Sequence, residues 1–128
     1  MRRARPIRLA VLAVLTFVTT SSLAWAGGDD VTRSGSCSGR GVWKLRVRRE
    51  TVTTIRVRFD IEHVRPGDTW QLYLSDNGTR IFSASRVADS QGELRAVRVT
   101  ANRSGTDHVK GSGVNVTAGG TCDGALAY

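Results

Sequence analysis

Cysteine is scarce in this chain of 128 residues, occurring only as Cys37 and Cys122. With no Cys-x-x-Cys pair there is neither a zinc-type ligand spacing nor a dithiol redox motif. Histidine is as sparse: His63 and His108 stand far apart, and no spaced set of His, Cys and Glu supplies a third metal ligand. Lysine occurs only at Lys44 and Lys110, so basic character rests on arginine. A general preference for arginine suits a GC-rich genome and carries little functional information by itself. No apolar run beyond the first 26 residues is long enough to span a bilayer. No segment after the leader shows the apolar period of an amphipathic helix, and there is no internal repeat. These absences exclude a metal centre, thiol redox chemistry, a helical bundle and a membrane-spanning anchor, and no motif calls for a cofactor.

The N-terminus does carry a signal. Met1 to Arg8 is a positively charged segment, Leu9 to Val18 an apolar run, and Ala24-Trp25-Ala26 a small-x-small cleavage site. That order is a secretory signal peptide over 1–26, removed on export. No cysteine follows Ala26 to take a lipid, and the residues after Arg2-Arg3 do not complete a twin-arginine motif. The expected destination is secreted and extracellular. Cleavage removes four arginines, which leaves 15 basic and 11 acidic residues and lowers the net charge from +8 to +4. So modest a charge argues against nucleic acid as the partner.

The next stretch, 27–36, is rich in Gly, Asp and Ser and reads as a flexible lead. The remainder, 37–128, has the length of a single domain. Two lone cysteines near the ends of that domain, in an oxidising compartment, are expected to form a disulfide between Cys37 and Cys122.

Strand periodicity organises the domain. From Thr54 to Glu62, Ile55, Val57, Phe59 and Ile61 alternate with Arg56, Arg58, Asp60 and Glu62. A period of two puts the first set on a buried face and the second in water. Trp43, Leu45 and Val47 alternate in the same way with Lys44, Arg46 and Arg48, as do Trp70, Leu72 and Leu74 with Gln71 and Tyr73. Arg65-Pro66-Gly67-Asp68 is a turn, and Asp76-Asn77-Gly78 marks a hairpin to a strand over 80–87. In the fifth strand, 93–100, the alternation slips: a bulge near Ala96 or burial on both sides accounts for it. A last strand over 108–117 is weakened by Gly111 and Gly113, which suggest an edge, a bend or close backbone packing. Six to seven short strands predict an all-β fold, an antiparallel β-sandwich of immunoglobulin-like type with one disulfide, a small β-barrel being the alternative.

Several spaced features, Cys37 with Trp43-x-Leu45, Gly67-x-x-Trp70, Asn77-Gly78, Gly105-Thr106-Asp107 and Thr117-x-x-Gly120-x-Cys122-x-Gly124, resemble a group of small secreted single-disulfide β-sandwich proteins of actinobacterial type. The resemblance covers most of the mature chain. It implies the sandwich and export, and it brings no activity with it.

Catalytic constellations are weak. Gly35-Ser36-Cys37-Ser38-Gly39 places a cysteine where a nucleophile elbow needs serine. Asp60 and Glu62 share a strand face, as a glycosidase pair would, yet they alternate with arginines in the manner of a solvated face. The expectation is a protein that is not an enzyme. It would be an extracellular or cell-envelope binding or structural protein, its partner a cell-wall polymer or another extracellular protein. A small secreted hydrolase and a polyanion-binding module are the alternatives. The candidate polyanion face comprises Lys44, Arg46, Arg48, Arg56 and Arg58. In some registers its arginines oppose one another, and a shift by two residues sets Lys44 near Asp60 instead.

Overall fold

A computed structural model describes residues 30–128, so the leader expected over 1–26 lies outside the described residues. Eight strands follow one another: β1 (Asp30–Ser36), β2 (Val42–Arg49), β3 (Thr54–Glu62), β4 (Thr69–Asp76), β5 (Thr79–Val87), β6 (Leu94–Ala101), β7 (His108–Asn115) and β8 (Thr121–Ala127). They form two antiparallel sheets, ordered β1-β2-β3-β6 and β5-β4-β7-β8. β3 pairs with β6 in one sheet, while β4 and β5, which lie between them in sequence, pair in the other. This is a Greek-key sandwich and not a closed barrel. Its second sheet has the C′-C-F-G order of immunoglobulin-like domains, and β2-β3-β6 stand where strands A, B and E do. β1 is an added strand outside that set.

The core is the face predicted from the alternation. Ile55, Val57, Phe59 and Ile61 are fully buried, with Leu45, Val47, Leu72 and Leu74 equally so. Each such side chain contributes about 1.5–3 kcal/mol by leaving water. Across from them, the second sheet supplies glycine. A Cβ on Gly111 would stand 2.6 Å from the Phe59 ring, and one on Gly113 would stand 2.5 Å from Ile61 Cδ1. A Cβ on Gly124 would likewise stand 2.6 Å from the Trp43 indole, and one on Gly35 of β1 would stand 2.7 Å from it. The glycines of β7 therefore mark close packing, and β7 is an interior strand between β4 and β8.

Three expectations are corrected. The lead expected to be flexible over 27–36 is an edge strand from Asp30 to Ser36, paired to β2 along its whole length. Its sequence hides this because backbone pairing and the Gly35–Trp43 contact hold it, with Val31 its one packed apolar side chain. The strand count rises to eight because residues 121–127 also form a strand, with Cys122, Gly124 and Leu126 inward. β6 has no bulge: its register with β3 runs unbroken from Thr54–Ala101 to Ile61–Leu94. Leu94 and Ala96 are buried, whereas Val97 and Val99 lie on the solvated face.

The Cys37–Cys122 disulfide is present. It ties the β1–β2 connection to β8 at one end of the sandwich, where Asp68, Trp70 and Asn115 are also buried. At the opposite end, Asp76 and Asp107 are buried together. Both oxygens of Asp107 lack a hydrogen-bond donor among the described residues. Burial, followed by the neighbouring Asp107 carboxyl, raises the pKa of Asp76. The backbone of Asp107 is paired with Tyr128 by reciprocal N–H to O bonds of 2.9 Å.

Candidate functional site: the arginine face of the first sheet

Residues directly opposite in an antiparallel ladder share a face, so the outer surface of the first sheet follows from its register. Ser34, Lys44, Asp60 and Arg95 form one row across β1, β2, β3 and β6. Thr32, Arg46, Arg58 and Val97 form the next. Asp30, Arg48, Arg56 and Val99 form the third. All five residues of the expected basic face are therefore brought together.

The register corrects one point of sequence reasoning. Lys44 does stand opposite Asp60, but the same register sets Arg46 opposite Arg58 and Arg48 opposite Arg56. Strand spacing of about 4.8 Å and a two-residue repeat of about 6.7 Å make these four a compact grid of positive charge. The opposed arginines are relieved by carboxylates at the margins. Arg46 holds Asp30 through Nε at 2.9 and 3.0 Å and through Nη2. Arg56 holds Glu50 at 2.6 and 2.9 Å. Asp60 accepts from Arg58 Nε and from Arg95 Nε, each at 2.7 Å.

These bonds fix the charge states. The hydrogen bond from Arg46, helped by its charge, holds the Asp30 carboxyl below its ordinary pKa. Arg56 does the same to Glu50. In return Asp30, Glu50 and Asp60 raise the pKa values of Arg46, Arg56 and Arg95. None of these arginines can act as a proton donor or acceptor near neutrality. Arg46, Arg48, Arg56, Arg58 and Arg95, with Val97, enclose a shallow pocket of about 150 Å³. A guanidinium has five donors in a planar fork, and one carboxylate uses two of them at most. Donors therefore remain for a further oxyanion in the pocket.

Sequence reasoning missed three members of this site: Asp30, Glu50 and Arg95. Asp30 was hidden in the supposed lead. Arg95 was legible, since the inward Leu94 and Ala96 place the residue between them on the outer face. The other flagged residues do not join the site. His63 and His108 are both exposed, and no group of three or more His, Cys, Asp or Glu fit to hold a metal occurs among the described residues. Tyr73 lies on the outer face of the other sheet, under the Arg80 guanidinium. Trp70 is buried in the core, and the half-buried Trp43 packs against it. Among the described residues, no helix is long and apolar enough to cross a membrane. No family model, curated protein or solved structure matches the chain.

Proposed function

We propose that this is a secreted, non-enzymatic binding protein whose first-sheet face takes a polyanion, such as a phosphate- or carboxylate-bearing polymer of the cell envelope. One observation carries the reading: two directly opposed arginine pairs surround a pocket that a fifth arginine helps to close. Like charges set opposite one another destabilise a sheet by a few tenths of a kcal/mol or more. A face serving solubility alone is better built from charges of alternating sign. The charged and apolar leader, the disulfide and the resemblance to small secreted sandwiches support the extracellular placement. Of the carboxylate pair that the hydrolase alternative would use, Asp60 is engaged as an acceptor by Arg58 and Arg95.

The test is a titration of the mature protein with polyphosphate at about 50 and 200 mM salt, where counterion release gives binding a steep salt slope. The triple variant Arg46→Ala, Arg56→Ala, Arg58→Ala should stay folded by urea denaturation and bind more weakly. Its log–log salt slope should fall by about 2–3, near one per lost contact. Equal binding and slope in the two proteins would refute the reading.

A further inference from the structure

The end of the sandwich that carries the disulfide holds a second concavity, separate from the arginine face. It has a volume of about 440 Å³ and is open on one side, and Arg40, Val64, Arg65, Asp68, Trp70 and Ala118 contribute to its wall. That volume falls within the ~300–1,000 Å³ typical of small-molecule sites. Gly39, Gly119 and Gly120, all at positive φ, carry the chain around it without side chains.

Its buried polar groups are incompletely used. Trp70 is 2% exposed, and its indole N–H is enclosed with no acceptor among the described residues. A buried tryptophan N–H ordinarily finds a partner, and leaving one without is destabilising. Asp68 is 4% exposed. Its Oδ2 accepts from Asn115 Nδ2 at 2.9 Å, while Oδ1 has only Arg65 Nε at 4.0 Å, beyond hydrogen-bond length. Asn115 is itself used up: its Oδ1 accepts from the N–H groups of Thr117 and Ala118, each at 2.9 Å. Arg40, tethered by Nε to the His63 carbonyl at 3.2 Å, and the largely exposed Arg65 put two positive charges on the wall, against the one negative charge of Asp68.

We infer that this pocket is a binding site for a sugar acid: a small, hydroxylated ring carrying one carboxylate. A hydroxyl donates, so a hydroxylated ring matches the unused acceptor Asp68 Oδ1, and Trp70 forms the wall beside it. The carboxylate neutralises the excess positive charge of Arg40 and Arg65, and guanidinium is suited to hold it with two bonds. Val64 and Ala118 supply apolar contact for the C–H face of the ring. The site uses none of the residues of the arginine face, so either can fail without the other.

Indole N–H resonances of the protein labelled with ¹⁵N-tryptophan report on it directly, with the Trp70 peak assigned by its loss in Trp70→Phe. Glucuronate should shift that peak in a saturable way at millimolar concentration and leave Trp43 unmoved, and glucose should do so at least tenfold more weakly. Arg40→Ala with Arg65→Ala, both on exposed side chains, should weaken glucuronate at least tenfold while leaving its response to glucose unchanged. A Trp70 peak that does not move with any probe leaves the pocket to water and overturns the inference. Equal responses to glucuronate and glucose, or an unaltered glucuronate affinity in the double variant, would also overturn it.

Discussion

The packing of glycine against bulky side chains makes a sharp prediction at Gly111. Its φ is not in the left-handed region, so alanine meets no backbone obstacle there. On backbone entropy alone, replacing glycine with alanine stabilises by about 0.4–1 kcal/mol. Against this stands the new Cβ at 2.6 Å from Phe59 Cδ2 and Cγ, which forces the ring or the strand to move. Phe59 is fully buried within the core cluster. Overpacking of this kind costs about 1–3 kcal/mol, so the net effect of Gly111→Ala is a loss of about 1–2 kcal/mol. At ~4–8 °C per kcal/mol for a domain of this size, Tm should drop by about 4–16 °C. Urea denaturation with the disulfide intact measures the loss, and a second substitution tests its cause. Phe59→Leu alone costs stability by leaving a cavity, but it removes the ring atoms that the added methyl group strikes. The double variant should be more stable than the two single losses predict, with a coupling of at least about 0.5 kcal/mol. A neutral or stabilising Gly111→Ala, or simple additivity with Phe59→Leu, would show that the two sheets are not in the contact described.

Two other outcomes follow from the ends of the sandwich. Cys37→Ser with Cys122→Ser releases a loop whose ends are 85 residues apart, worth about 4–5 kcal/mol in the chain-entropy model, so the variant should melt well below wild type. Alkylation of the denatured, unreduced wild type should add no mass, and two added groups would contradict the bond. Asp76 has a folded pKa raised by burial and by Asp107 above the ordinary 3.8, so its contribution to stability is full below that value and is lost as pH rises through the folded pKa. Asp76→Asn should therefore gain stability relative to wild type as pH is raised from about 4 to 7. A difference between the two proteins that does not change with pH would mean that the carboxyls are not sharing a buried site.

What the sequence disclosed divides along physical lines. β2, β3 and β4 were legible because large apolar side chains alternate with polar ones, and their inward faces are those predicted. β1 and β8 were missed for the opposite reason. They lie against Trp43, and a strand that accommodates an indole does so with Gly35 and Gly124, which contribute nothing to an apolar pattern. The basic face was legible residue by residue from parity. Its charge pairing was not, because that depends on a register which the turn after Arg49 sets. The pocket beside the disulfide had no signature, since Arg65, Asp68, Trp70 and Asn115 converge only when β4 pairs with β7.

The position of the disulfide also decides how the molecule bears load. A pull applied on either side of the bond passes from Cys37 straight to Cys122 and bypasses the 85-residue span that contains β2 to β7. The ladders that join β2 to β7 among themselves then carry no tension, and only the pairing of β1 with β2 and of β8 with β7 is loaded. Only β1 and the part of β8 beyond Cys122 can be peeled away. A single chemical event, reduction of one bond, would put the whole span in line and release about 280–300 Å of extensible chain.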